Sequence, residues 1–461
     1  MKKEVSARGV AAEVLIRVHR DQAFASAALD AEIARSPQLG PRDRALATEL
    51  AYGSLRVQRW LEMRISRHAT RPIDKLDPRA RVHLVLAAFQ LFFLGRVPKF
   101  AAVSEAVTAV RLVNGPQVAA FANAVLRKLA REAEEEIAAG ALDFEAVAVQ
   151  SSPPWLVDAL SRSLGESEAR AYLRAALTPP ANGICVHDAS MRDAWLGRLR
   201  EGAPSDAEGG PPAASRGDFE AGALSPHAIR VRSAGRLHTL PGYAEGAWTL
   251  QEEGSQVIAL ALGARPGEVV LDACAGRGNK TAILAHAVGR EGAVDAADLH
   301  PAKLARLREE LGRLALAPRA TYAVDWSRGP GEVSGTYARI LVDAPCSGTG
   351  TLGRRPDLYL RRAPDDLARL TTLQLAIASR TADRLQPGGR LVYAVCSVLC
   401  EEGEEIVERL LAARPDLEPS SFAGQPAANL AKGESQLRLL PQIHGTDGYF
   451  LASLVKRPAT C

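Results

Sequence analysis

Two cysteines, Cys346 and Cys396, stand just past apolar runs that read as buried strands. Ile340-Leu341-Val342 leads into Asp343-Ala344-Pro345-Cys346-Ser347-Gly348-Thr349-Gly350, and Leu391-Val392-Tyr393-Ala394-Val395 leads into Cys396-Ser397. An apolar, partly β-branched run broken by Asp, Pro and Gly is the pattern of a parallel strand entering a loop at its carboxyl end. Open α/β sheets bind their ligands at that edge. Two thiols converging there suit nucleophilic catalysis on a poorly reactive ring. A thiolate added to carbon 6 of a cytosine loads electron density onto carbon 5, which can then take a methyl group. A base next removes the carbon 5 proton and the thiol is eliminated. Asp343 is placed to hydrogen-bond the pyrimidine edge and favour protonation at N3 as the adduct forms. A free thiol is only a few per cent ionised near neutrality, so the nucleophile needs a cation, and loop proximity offers Lys280 or Arg277. Spacing does not rank Cys346 against Cys396. Cys274 reads instead as a small core residue, and Cys400 as packing on a helix that the acids of 401–405 open favourably for its dipole.

A second loop supplies the candidate cofactor site. Val269-Val270-Leu271 runs into Asp272-Ala273-Cys274-Ala275-Gly276-Arg277-Gly278-Asn279-Lys280-Thr281, followed by a helix over 282–288. Small residues there let the backbone, Cys274 to Lys280, approach a ligand and aim helix-start N–H groups at it. Asp298 ends the next strand, at the distance where an acid accepts both hydroxyls of a ribose. Asp325 ends the third strand, placed to accept from an adenine amino group. No Walker pattern is present, and a nicotinamide or flavin leaves the strand-end cysteines without a role. S-adenosylmethionine gives them one, because its methyl group would sit near the strand ends where Asp343 and Cys346 arrive. No metal site is expected.

These residues need a scaffold, and 461 residues are too many for one ordinary core, so two or three domains are expected. Apolar residues recur at helix spacing from about residue 5 to 140 (Val10, Val14, Leu15 and Val18; Leu84, Leu91 and Leu94), with stops at Gly95, Asn114-Gly115 and Gly140. Domain limits are set at 1–145 for an all-α domain, 146–250 for linker helices and a small α+β subdomain, and 251–461 for a doubly wound, Rossmann-like α/β domain. Within the second, 202–225 is rich in Gly, Ala, Pro and Ser and reads as a flexible insertion without fold or chemistry. The net charge of +4 permits nucleic acid without demanding it. Locally, Arg42, Arg44, Arg56, Arg59, Arg64, Arg67 and Arg71 face only Asp43, Glu49 and Glu62. They are either an RNA contact or a solvated helical face. Six scattered cysteines fit reduced, cytoplasmic thiols. The most apolar run, 84–94, is far shorter than the ~20 residues of a membrane span.

The motifs resemble those of a known family. Asp343-Ala-Pro-Cys346-Ser-Gly-Thr-Gly, with Arg354-Arg355-Pro356-Asp357 after it, is similar to the fourth motif of the RsmB/Nop2/NSUN RNA cytosine-5 methyltransferases. Val395-Cys396-Ser397 resembles the family's Thr-Cys-Ser, and Asp447-Gly448-Tyr449-Phe450 its Asp-Gly-Phe-Phe end. Gln251-Glu252-Glu253-Gly254-Ser255-Gln256 resembles its Gln-Asp-Glu-Ala-Ser. The stretches Asp43-Arg44-Ala45 through Tyr52-Gly53, and Phe121 to Arg127, resemble the NusB-like RNA-binding domain of the bacterial RsmB members. The resemblance implies S-adenosylmethionine as cofactor and RNA, most specifically 16S rRNA, as substrate of a cytoplasmic monomer. It also implies Cys396 as nucleophile, with Cys346 assisting release. Two alternatives remain open: the same chemistry on tRNA or another rRNA, and a non-catalytic RNA-binding assembly factor. One departure bears on the cofactor. The family's Cys-Ala-Ala-Pro-Gly-Gly-Lys is here Cys274-Ala-Gly-Arg-Gly-Asn-Lys280, which predicts a looser turn with Asn279 in a glycine's place.

Overall fold

The computed structural model describes residues 6–202, 217–233 and 236–458. The chain forms two compact units: Met1–Pro179 with Thr351–Arg362, and Pro180–Gly350 with Ala363–Cys461. No described helix is long and apolar enough to cross a membrane.

The first unit is helical, and the predicted Val10, Val14, Leu15, Val18, Leu84 and Leu91 are buried in its core with Leu50, Leu61 and Leu126, whereas Leu94 is only partly buried. Burying one such side chain contributes roughly 1.5–3 kcal/mol. Gly53 lets the helix Pro41–Arg56 meet the helix Pro78–Phe93, since a Cβ there would overlap the Phe89 ring. The stop predicted at Asn114-Gly115 is a break inside Lys99–Ala138, where Gly115 takes φ +81° before Pro116. The helices Phe144–Ser151, Pro154–Leu164 and Glu166–Ala176, expected in a linker, fall in this unit. So does 351–362, which linear reading assigned to the α/β domain. Its Leu352, Leu358 and Tyr359 are buried, and Gly353 O accepts from Arg56 Nε and Nη2 at 3.1 and 2.7 Å.

The second unit holds two sheets. The smaller is antiparallel, of β1 (Asn182–Val186), β2 (Asp218–Ala221), β3 (Ala228–Ser233) and β4 (Trp248–Leu250), in the order β2-β3-β1-β4. Strand β2 corrects the reading of 202–225 as an insertion without fold. Phe219 is 4% exposed and packs with Ile184, Val231 and Trp248, a burial that one aromatic among small residues does not signal in composition. Residues 203–216, the rest of that stretch, lie outside the described residues, as does Cys461.

The larger sheet comprises β5 (Val269–Asp272), β6 (Ala293–Asp298), β7 (Ala320–Ala323), β8 (Tyr337–Asp343), β9 (Leu385–Val395), β10 (Leu417–Pro419), β11 (Gln436–Leu439) and β12 (Tyr449–Lys456). Its order is β10-β12-β9-β8-β5-β6-β7, with β11 beside β12, and β7 through β9 are parallel. The chain runs outward from β5 to β7 and returns at β8 on the other side of β5, so the topological switch, where ligands bind, lies between β5 and β8. The two short strands β10 and β11 were not predicted.

One feature of the smaller sheet makes stability depend on pH. His187, just past β1, is 8% exposed, and neither ring nitrogen has a hydrogen-bond partner among the described residues. Burial, and then His286, His227 and Arg313, push its pKa down to about 4. As pH falls from about 6.5 towards 4, the unfolded chain takes up a proton that the folded chain refuses. Stability is therefore lost through that window, by about 2 kcal/mol at pH 5, and is fully present above it. Urea unfolding at pH 7 and pH 5 should show a smaller acid loss in His187→Phe than in the parent by about that amount; equal losses would remove His187 as the cause.

Candidate active site

The two cysteines meet. β8 and β9 are adjacent and parallel, with Asp343 opposite Ala394, so the loops that follow leave the same edge. The sulfurs of Cys346 and Cys396 lie 3.2 Å apart, a thiol hydrogen-bond contact rather than a disulfide of ~2.05 Å. Cys346 is held well above the usual thiol pKa by the hydrogen bond to Cys396, then by burial, the Cys396 charge and Glu402. Lys280 Nζ sits 2.6 Å from Asp343 Oδ2. Burial works against the Lys280 ammonium, but Asp343, Asp272 and Cys396 outweigh it and hold the pKa above the lysine value. Of the two cations proposed from sequence, Lys280 therefore faces the thiols and Arg277 does not, its side chain being exposed on the turn. Cys274 belongs to the core reading: burial, and then Asp343, Asp272 and Asp298, push its thiol far up and keep it un-ionised.

A buried polar network holds the two loops in register. Glu402 Oε1 accepts from Ser347 N at 2.7 Å and from Gln374 Nε2 at 3.0 Å, and its Oε2 accepts from Ser347 Oγ at 2.5 Å. Thr349 Oγ1 links to Ser397 Oγ at 2.9 Å, and Gln374 Nε2 also reaches Pro345 O at 2.9 Å. Gly350 N donates to Cys396 O at 3.0 Å while Gly350 O accepts from Gly448 N at 2.7 Å. A Cβ at Gly350 would overlap Gly448 O, so only glycine allows this approach. Glu252 joins the far end, accepting from Asp447 N at 3.1 Å and Tyr449 Oη at 2.7 Å. Glu402 and Gln374 were given no part in the site by the sequence reading, and Thr349 and Glu252 entered it only as members of motifs, without a role. Glu402 was grouped with helix-opening acids, yet the helix Glu404–Ala413 has only Glu404 and Glu405 in its first turn.

The Gly-rich turn is pinned rather than loose. Ala275 N donates to Ala297 O at 2.8 Å, Gly278 N to Ala275 O at 3.0 Å, and Gly276 N to Asp298 Oδ2 at 3.0 Å. Positive φ falls on Gly276 and Gly278, while Asn279 opens the helix Asn279–Val288 in helical conformation. Asn279 thus needs no left-handed backbone, and its Nδ2 donates to Leu250 O at 3.0 Å. The residues fit a bound nucleoside-type group on two counts. A Cβ at Gly276 would meet nothing within 4 Å, so space lies open beside the backbone. Asp272 Oδ1 is buried with no side-chain donor among the described residues, while Oδ2 accepts from Thr281 Oγ1 at 2.7 Å; burial pushes its pKa up to about 7. Asp298 Oδ1 accepts from His300 N at 2.8 Å, and Lys303 lies 3.5 Å away. Asp325 sits just beyond β7, where it accepts from Ser327 N and Oγ at 3.0 and 2.6 Å.

In the helical unit the basic cluster divides. Arg44 is tied to Leu39 O and Pro37 O, and Arg56 is buried on Gly353 O, with burial pushing its pKa down to about 10. Arg64 pairs with Glu136 at 2.6 Å and with Glu132. Arg42, Arg59, Arg67 and Arg71 remain exposed. Arg59 and Arg67 line a groove of about 550 Å³ with Glu62, Met63, Ser66 and Ile73. The groove lies within the helical unit and includes neither thiol.

Two family models match separate parts of the chain. A model of the 16S rRNA methyltransferase RsmB/F family matches residues 259–455, and a NusB family model matches residues 5–131. Probable ribosomal RNA small subunit methyltransferase B of Bacillus subtilis is 32% identical over 461 residues, spanning 99% of this chain and 100% of its own. Ribosomal RNA small subunit methyltransferase B of Salmonella paratyphi B is 32% identical over 465 residues, with 99% and 100% covered. Among solved structures, PH0851 superposes with a TM-score of 0.77 at 22% identity over 99% of this chain and 100% of its own. NSun6 of Pyrococcus horikoshii gives 0.54 at 19% identity, over 66% of this chain and 98% of its own. These two likenesses speak to the fold. Fold, site and relatives together define an RNA methyltransferase with a Rossmann-like domain and an all-α NusB domain. The chain belongs to the RsmB/F family.

Proposed function

We propose that the protein transfers a methyl group from S-adenosylmethionine to carbon 5 of a cytosine in 16S rRNA, in the cytoplasm, through a covalent bond between Cys396 and the base. The observation that carries this reading is the pair of sulfurs 3.2 Å apart beside the Lys280–Asp343 ion pair at the ligand-binding edge. One strand-end thiol suits many chemistries; two in contact suit attack and release on the same ring. Cys396 attacks carbon 6, while Asp343, steadied by Lys280, accepts from the pyrimidine edge and favours a proton at N3. The cofactor supplies an electrophilic methyl carbon. A water molecule takes the carbon 5 proton, its bonding electrons re-form the double bond between carbons 5 and 6, and Cys346 donates its proton to the Cys396 sulfur as that sulfur leaves carbon 6. The relatives' printed names point to small-subunit ribosomal RNA, and the exposed Arg42, Arg59, Arg67 and Arg71 suit phosphate contacts. Bisulfite mapping of ribosomal RNA from cells with and without the protein tests the substrate: one cytosine of 16S rRNA should lose its protection when the protein is absent. A lost mark on tRNA or 23S rRNA would reassign the substrate.

In this reading the backbone of Cys274 to Lys280 cradles the cofactor, Asp298 accepts the ribose hydroxyls and Asp325 the adenine amino group. Asp298→Ala should weaken S-adenosylmethionine by roughly 1.5–3 kcal/mol, about 10- to 150-fold, as for a hydrogen bond to a charged acceptor. Calorimetric titration checks it. An unchanged dissociation constant would free Asp298 from the ribose role and leave it only its bonds to Gly276 N and His300 N.

A further inference from the structure

Glu402 is fully buried, and among the described residues its carboxylate makes no ion pair; its partners are Ser347 N, Ser347 Oγ and Gln374 Nε2. A buried carboxyl group is costly unless hydrogen bonds satisfy it, and here the donors come from Ser347 and Gln374, beside the thiol loops. Ser347, whose N–H and O–H it holds, directly follows Cys346. Lys280, paired with Asp343 at 2.6 Å, also interacts electrostatically with Cys396. Tyr393 also faces Cys346, and Tyr449 faces Cys396; burial first of all holds both phenols well above their usual pKa, so neither adds charge. Asp343 is neutralised by Lys280 at 2.6 Å, and Cys274 stays a thiol. Among the described residues Glu402 is thus the carboxylate acting on Cys346 that no cation pairs.

We infer that Glu402 is the positioning residue that ranks the two thiols. Its carboxylate, clamped on Ser347, keeps Cys346 as the S–H that donates to Cys396. The inference rests on the two-thiol reading above and gives it the order of roles that spacing alone leaves open. Cys346 is then the donor, and Cys396 is left as the nucleophile that attack requires. At release, the same S–H faces the sulfur that leaves carbon 6.

The test reads thiol ionisation in the full chain without RNA or cofactor, so it does not depend on methylation. Iodoacetamide labelling, resolved by peptide mass spectrometry, gives the pH midpoint for Cys346 in a Cys396→Ala background. Adding Glu402→Gln, which keeps the side-chain shape and removes the charge, should lower that midpoint by at least one pH unit, a tenfold gain in thiolate. Glu402→Asp, which restores the charge, should return it towards the parent value. A midpoint unmoved in a folded Glu402→Gln protein would overturn the inference. Should circular dichroism show that variant unfolded, the chain with Glu402 intact decides. Cys396 in Cys346→Ala must then label at lower pH than Cys346 in Cys396→Ala, and equal or reversed midpoints overturn the inference. Methylation of RNA is scored separately in Glu402→Gln alone. A shifted midpoint in a protein whose parent methylates no RNA would discard the catalytic reading and leave the ranking standing.

Discussion

Cys396→Ala should abolish methylation and covalent RNA attachment together, a loss on the order of 10⁴-fold or more, because no bond to carbon 6 can form without its sulfur. Cys346→Ala should behave differently. Attack remains possible, but the departing sulfur has lost the neighbour that stood 3.2 Å away, so methylated RNA should stay attached. The product is a protein–RNA band that survives denaturation on a gel. The double variant should give none. A band in Cys396→Ala and none in Cys346→Ala would reverse the roles of the two thiols.

Lys280→Met should cost about 10²- to 10³-fold in methylation at pH 7. Two effects combine. Asp343, at the end of β8, loses the cation 2.6 Å from its carboxylate, and breaking a buried ion pair costs about 3–5 kcal/mol. The pair keeps some solvent contact, with the Lys280 side chain 14% and that of Asp343 26% exposed, so the range is set below that limit, at roughly 3–4 kcal/mol. The second effect carries a pH signature. With the positive charge facing Cys396 removed, a given pH yields less thiolate, and the rising limb of the rate profile should move to higher pH. The deficit should therefore shrink between pH 7 and pH 9. A deficit constant across that range would confine Lys280 to holding Asp343.

The carboxyl edge was legible because its signals are local. An apolar run ending in Asp, Pro or Cys marks β8 and β9, and parallel pairing of two such strands brings Cys346 and Cys396 together. Asp298 stood out for the same reason, as the acid closing β6. What escaped depends on the third dimension. Glu402 lies in a row of acids that reads as a solvated helix start, and only the turn between β9 and the following helix points it inward onto Ser347. The seven arginines of 42–71 look alike in sequence. Packing spends Arg44, Arg56 and Arg64 on carbonyls and carboxylates and leaves the other four exposed. The segment 351–362 continues the Cys346 loop in the chain, yet its buried Leu358 and Tyr359 belong to the helical unit. Strand β2 was hidden by its small and polar neighbours, and the looser turn expected from Asn279 in a glycine's place does not arise, since Gly276 and Gly278 carry the positive φ.

The covalent intermediate offers the most direct measurement. RNA transcribed with 5-fluorocytidine holds fluorine at carbon 5, where no proton can then leave after methyl transfer, so the adduct cannot be resolved. The full-length protein should be incubated with such 16S RNA and S-adenosylmethionine, digested with protease and nuclease, and mapped by mass spectrometry. The account predicts a methylated fluorocytidine bonded to the sulfur of Cys396 and dependent on the cofactor. A nucleotide on Cys346, or methyl transfer with no cysteine adduct at all, would contradict it.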